Sequence, residues 1–372
     1  MTGVYDLSGR VSLQVDDAGR VERFIDAQMD PFHRATVERR AGDVRLAPDL
    51  RRGRRPFVDV HNPARDGMVT ASDGERLLRV VDGLACTMPD PLGEEPAKFS
   101  YEPEFPVARI FAAVVRPTLQ LVLLRNRCAA VHAAAVEIDG RAVLVAGWSE
   151  SGKTETALAL MEGGARFLSD KWTVVGADGE ASAFPIGVGV RRWALSYLPR
   201  LAVSLPRPAR ARMRVAAAAA AVSRPLRDRA RPGRLGSLAD QAVVLADRAA
   251  LSPSQLRAAY GQVDEPARRL PLAAVALLTT VPPPEVTSEP ADPVWAAARL
   301  ARSAAFERRQ LFAVLDRRRY AFPLDGESPV ETAIAKERRV LESALEGRRV
   351  IEVRAPFPVD PNTVAAAVTR WL

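Results

Sequence analysis

Residues 141–175 read RAVLVAGWSESGKTETALALMEGGARFLSDKWTVV. Within them, Gly147-Trp148-Ser149-Glu150-Ser151-Gly152-Lys153-Thr154 fits the G-x-x-x-x-G-K-[ST] phosphate-binding loop. The flanks agree with it. Ala142–Ala146 is a short apolar run that predicts a buried strand. Thr154–Met161 consists of good helix formers, and Gly163-Gly164 supplies the stop. A strand, a glycine loop and a helix N-terminus direct backbone N–H groups and a positive dipole end at a phosphate. Lys153 adds a compact charge for the β/γ-phosphates, and the Thr154 hydroxyl is placed to hold Mg²⁺. An ordinary glycine-containing turn gives no reason for a lysine at a helix N-terminus, where positive charge is disfavoured.

The residues beyond the helix narrow the reading. Arg166–Ser169 predicts the next strand, and Asp170 stands at its end. One helix and one turn separate Lys153 from this carboxylate, a much shorter interval than in Ras-like or RecA-like ATPases. Lysine usage points to the same place. Of the 53 Lys and Arg residues only four are lysines, namely Lys98, Lys153, Lys171 and Lys336, and two of these flank the expected phosphate site. An ammonium enters a phosphate loop where a planar guanidinium does not fit.

This stretch resembles the HPr kinase/phosphorylase family, whose members share a fold with phosphoenolpyruvate carboxykinase. The resemblance spans roughly residues 130–175. It runs from Val131-His132-Ala133-Ala134 through the loop and Lys153-Thr154-Glu155-Thr156-Ala157-Leu158 to Leu168-Ser169-Asp170. Phe184-Pro185 and Arg191-Arg192-Trp193 extend it loosely. The resemblance implies an α/β phosphoenolpyruvate-carboxykinase-like nucleotide-binding core using ATP and Mg²⁺. It implies Asp170 as the carboxylate that accepts a hydroxyl proton, with His132 beside it, and Glu155 as an organiser of the metal site with Thr154 and Asp170. Lys171 stands where the family has a second Asp, and Trp148 and Glu150 depart from the family loop. The resemblance therefore leaves the reverse phosphorylase activity open. The expected activity is γ-phosphoryl transfer to a hydroxyl, first of all a serine of a peptide or protein. The alternatives are a small-molecule hydroxyl acceptor, such as free serine, a sugar or a natural-product intermediate, and a non-catalytic ATP sensor.

Other residues carry two readings. Lys171 fits a phosphate or acceptor contact as well as a solvated strand end. Arg191 and Arg192 fit a clamp on phosphate or an acidic acceptor, or two surface arginines among many. His132 fits a satisfied core histidine as well as a site residue. Trp148 fits a cover on the nucleotide as well as loop packing.

Composition sets the bounds. The chain has 372 residues, 48% of them hydrophobic and 26% charged, enough for one large or two medium domains with real cores. Cys86 and Cys128 are its only cysteines, which excludes a cysteine-rich zinc site or a disulfide framework. The polar, alternating N-terminus is unlike a secretory signal. Apolar stretches such as Leu119–Leu124 end at Arg125 and Arg127, so no membrane span is expected and a cytoplasmic protein is. The net charge of +8 comes without finger motifs or interleaved aromatics, and nucleic-acid binding is not expected. A homo-oligomer stays open.

Short alternating segments such as Val11–Val15, separated by turn signals, predict a β-rich N-terminal domain over residues 1–103. The proline-bearing stretch Met88–Pro106 marks its boundary, and residues 104–372 form the kinase-like domain. Arg109–Arg125 reads as a helix despite Pro117. Residues 197–236, rich in Ala, Arg and Pro, read as a basic insertion, either a lid over the site or a solvated hairpin. Gln241–Leu245, Ala273–Thr280 and Arg348–Ala355 read as strands. Val294–Asp316 and Asn362–Leu372 read as helices.

Overall fold

The computed structural model describes residues 3–17, 19–36, 42–51, 59–63, 68–207, 248–263, 269–322 and 326–372, with positions 210, 211, 213 and 215. The fold is mixed α/β. The apolar run of residues 142–146 forms the strand Arg141–Gly147, which pairs in parallel with Leu270–Thr280. Leu270–Thr280 in turn pairs in parallel with Arg349–Ala355. On its other side Arg141–Gly147 pairs antiparallel with Ala133–Ile138, which pairs with Arg166–Ser169. These strands belong to one mixed sheet of nine.

A parallel strand buried on both faces needs apolar side chains at every position, and the alternation divides them between two cores. Leu144 and Ala146 join a cluster with Leu300, Leu341 and Val350 on one face. Val143 and Val145 join Leu158, Met161, Val364 and Val368 on the other. The first face is covered by helices Pro293–Glu307 and Pro329–Leu345, the second by Lys153–Glu162 and Pro361–Thr369.

The N-terminal region is β-rich. Gly3–Leu7 and Val11–Val15 lie inside a five-stranded sheet, and four further strands form a sheet of their own. The proline-bearing stretch is more than a linker, because Ala97–Ser100 pairs in register with Val44–Ala47. The apolar cluster of this region is continuous with the one beneath the nine-stranded sheet, from Tyr5 through Phe99 and Leu119 to Val350.

Two helical expectations need correction. The helix with Pro117 runs from Val107 to Asn126 and includes a π-helical turn at Phe111–Val115. Pro117 lacks an N–H and crowds the preceding turn, and the wider turn just before it relieves that conflict. This helix is long and apolar enough to cross a membrane by length and composition, contrary to the sequence reading. Its apolar side chains, among them Phe111, Val115, Leu119 and Leu123, are buried in the protein core. The expected helix Val294–Asp316 is two helices, Pro293–Glu307 and Arg309–Ala321, broken at Arg308. The expected strand Gln241–Leu245 lies outside the described residues, as does the insertion from residue 216 to 236. Its beginning contains the short helix Pro199–Ser204.

Candidate functional site

The strand Arg141–Gly147 ends where the glycine loop begins, and the helix Lys153–Glu162 starts where it ends. Two glycines make that reversal possible. Gly147 has φ 150°, and a Cβ there would stand 2.6 Å from the Leu278 carbonyl oxygen. Gly152 has φ 91°, and its Cβ would press on the Phe357 ring at 3.3 Å. Any larger side chain meets both an unfavourable backbone and a filled space. Glu150 also adopts a left-handed conformation, with φ 63°.

Lys153 is buried, and its Nζ donates to the carbonyls of Gly147 at 3.2 Å and Trp148 at 2.6 Å. Burial lowers its pKa to about 8, opposed by the carboxylates of Asp170, Glu307 and Glu155. The Thr154 hydroxyl donates to Asp170 Oδ1 at 2.8 Å. Asp170 follows the strand Arg166–Ser169, and Lys171 after it turns left-handed with φ 59°. Ser151 Oγ is buried in the loop with no hydrogen-bond partner among the described residues.

The Asp170 carboxyl is pushed from 3.8 up to about 6, first by burial and also by Glu155, while Thr154, the Lys171 N–H and Lys153 pull it down. The folded protein thus holds this proton more tightly than the unfolded chain does. Its ionisation costs stability that is absent in acid and grows as pH rises from 3.8 through about 6. The full difference corresponds to about 3 kcal/mol. Asp170→Asn is therefore expected to unfold at higher denaturant than wild type at about pH 8 without nucleotide or metal, and to match it near pH 4. Urea titrations at both pH values check this, and equal stabilities at the higher pH would contradict it.

A cleft of about 630 Å³ opens above the loop. It brings together His132, Trp148, Ser149, Glu150, Ser151, Gly152, Lys153, Thr154, Glu155, Asp170, Lys171 and Arg191. Gly147 is not among the lining residues, and its carbonyl accepts from Lys153. Arg192 is exposed and is not among the lining residues. Arg191 donates to Glu150 at 2.9 Å, lies 3.6 Å from Glu155, and stacks on Phe357. His132 is buried against Trp172, with Ser303 Oγ 3.4 Å from its Nδ1. Burial, and then the charges of Lys153, Lys171 and Arg308, lower its pKa to about 3. His132 is thus neutral, and its 3.8 Å approach to Glu307 is not an ion pair. Its described contacts are to these residues rather than to Asp170.

Phe306, Glu307, Arg248 and Phe357 also line the cleft, and sequence reasoning missed them. No motif marks them, since they arrive from strands and helices far along the chain. A larger cleft, about 1080 Å³, lies at the other end of the same helix, beside Glu162 and Gly163. Carbonyl groups end a helix there, which is the wrong polarity for phosphate. The chemistry therefore points to the smaller cleft.

The residues present fit ATP and Mg²⁺. Ser151 Oγ is buried in the loop without a hydrogen-bond partner among the described residues, and a hydroxyl and a carboxylate stand paired at the helix start. No cluster of three or more His, Cys, Asp or Glu side chains suited to a metal occurs among the described residues. Mg²⁺ at phosphate sites takes one or two protein ligands and fills its shell with phosphate oxygens and water, so Thr154 and Asp170 suffice. No protein-family model and no curated protein matches this chain.

Proposed function

We propose that the chain is an ATP-dependent kinase with a phosphoenolpyruvate-carboxykinase-like P-loop core, transferring the γ-phosphoryl group to a hydroxyl. The observation that carries this reading is the Thr154–Asp170 hydrogen bond at the head of the glycine loop. It joins the two groups that a phosphate-bound magnesium requires, at the point where the helix dipole and the loop N–H groups converge. A serine of a peptide or protein is the first choice of acceptor, and a small-molecule hydroxyl the second.

In this reading the loop N–H groups and Ser151 hold the phosphates. Lys153 exchanges its two carbonyl bonds for phosphate oxygens and offsets charge on the transferring group. Bound Mg²⁺ supplies further charge compensation across the phosphates. Thr154 and Asp170 hold it, and Glu155, buried beside Arg191, keeps that arginine at the cleft wall. Lys171 and Arg191 supply positive charge at the cleft for a phosphate or an acidic acceptor.

Asp170→Asn keeps the Thr154 hydrogen bond and removes the charge. The expected result is retained ATP binding with phosphoryl transfer lowered by roughly 10²-fold or more. Binding of a fluorescent ATP analogue and transfer from labelled ATP, measured side by side, test it. Wild-type transfer in the variant would overturn the assignment.

A further inference from the structure

Four carboxylates line the cleft, namely Glu150, Glu155, Asp170 and Glu307. Glu150 is held by Arg191 at 2.9 Å, and Glu155 lies 3.6 Å from the same guanidinium. Asp170 Oδ1 is engaged by the Thr154 hydroxyl. The Glu307 carboxylate accepts no hydrogen bond among the described residues, and His132 Nδ1 stands 3.8 Å from it. It is partly buried, as a group positioned by the fold rather than a solvated surface acid.

Its placement is built in. Glu307 is the last residue of the helix Pro293–Glu307. Arg308 breaks that helix from the next and is fully buried, donating to Gln120 Oε1 at 2.9 Å, to the Ala130 carbonyl at 2.6 Å and to Glu337. With Arg308 pinned inward, the preceding pair faces the cleft. Phe306 is 42% exposed and stacks on Trp148 of the glycine loop, with ring centroids 4.7 Å apart. Glu307 stands next to that contact, near enough to Lys153 for its charge to act on the ammonium.

We infer that Glu307 is the proton acceptor for the incoming hydroxyl, while Asp170 serves the metal. The inference rests on the phosphoryl-transfer reading and divides between two carboxylates what the sequence resemblance assigns to Asp170 alone. The hydroxyl oxygen bonds to the γ-phosphorus as its proton passes to the Glu307 carboxylate. The bond from the γ-phosphorus to the bridging oxygen breaks, and ADP leaves with that electron pair. A carboxylate with free lone pairs at the cleft wall also orients the hydroxyl before attack.

Water can stand in for the acceptor, so the test needs no identified substrate. Slow Mg·ATP hydrolysis is measured for the full-length wild type, Glu307→Gln, Glu307→Asp and Lys153→Ala, with fluorescent ATP-analogue binding and thermal melting of each. The expected result is that Glu307→Gln lowers kcat by roughly 30-fold or more with KM and analogue affinity within about twofold of wild type. Glu307→Asp should recover part of that loss. Wild-type kcat in Glu307→Gln, a loss confined to KM, or equal loss in both Glu307 variants would overturn the inference. Wild-type hydrolysis no faster than that of Lys153→Ala would instead overturn the kinase reading beneath it.

Discussion

Lys153→Ala is expected to lower phosphoryl transfer by roughly 10³-fold, the scale seen when one preorganised charge is removed from a transition state. The reason lies in the partners that the loop offers Lys153. The ammonium is buried and held by two carbonyls, Gly147 and Trp148, rather than by a carboxylate in an ion pair. Phosphate oxygens are stronger partners for it than neutral carbonyls. The exchange therefore favours bound nucleotide, and a neutral side chain removes it. Lys153→Arg is expected to fail as well, because a planar fork cannot occupy the space between loop and helix. Neither effect should arise from unfolding. Burial already disfavours the Lys153 charge, lowering its pKa to about 8, so alanine relieves a desolvation cost. Steady-state kinetics with a thermal melt of each variant separates loss of function from loss of fold. Transfer within tenfold of wild type in Lys153→Ala would contradict the assigned role.

The second large effect is expected far from any phosphate. Arg308→Met should destabilise the fold by about 3–5 kcal/mol, because it strands the buried Glu337 carboxylate without its partner. Burial pushes Glu337 up, and Arg308 is the group that opposes the rise. Without the guanidinium, Glu337 protonates more readily in the folded state. Its ionisation then costs stability as pH rises, so the deficit of Arg308→Met should shrink in acid and grow toward neutral pH. The double variant Arg308→Met/Glu337→Leu is expected to regain most of the loss, since an apolar pair of similar volume replaces a buried ion pair at little cost. Chemical denaturation of the two single variants and the double variant measures the coupling. Additive losses would show that the two residues do not act as a pair. The loss of Arg308 should also disturb the site, since its guanidinium lies over Trp172, against which His132 packs.

The readable part of the site is the part that is local in sequence. Loop, helix, strand and Asp170 follow one another within residues 141–170, and glycine position, apolar run and helix-forming run each leave a pattern in the letters. The structure places these elements as that pattern implies, with strand Arg141–Gly147, helix Lys153–Glu162 and strand Arg166–Ser169 in sequence. The opposite wall of the cleft was not legible. Phe306 and Glu307 occur in an Ala- and Arg-rich stretch with continuous helical periodicity, so the break at Arg308 was hidden. The break depends on Gln120, Ala130 and Glu337, three partners that no local window contains. One arginine among 49 gives no sign in the letters that it is buried. Phe357 is equally silent, because its role is set by contact with Gly152 and Arg191. The helix Val107–Asn126 takes in Arg125 at the partly exposed edge of the core and stops short of Arg127. Its apolar face was readable, and its burial against the N-terminal strands was not.

The measurement that bears most directly on the kinase reading is transfer of the γ-phosphoryl label from ATP·Mg²⁺ into a size-fractionated extract of cells that make the protein. Lys153→Ala and Asp170→Asn serve as controls. The expected result is label in a peptide or protein fraction, lost in both controls. Label confined to small molecules would move the acceptor to a metabolite hydroxyl and keep the chemistry. ATP binding with no transfer to any fraction would contradict the kinase assignment and leave a nucleotide-sensing protein in its place.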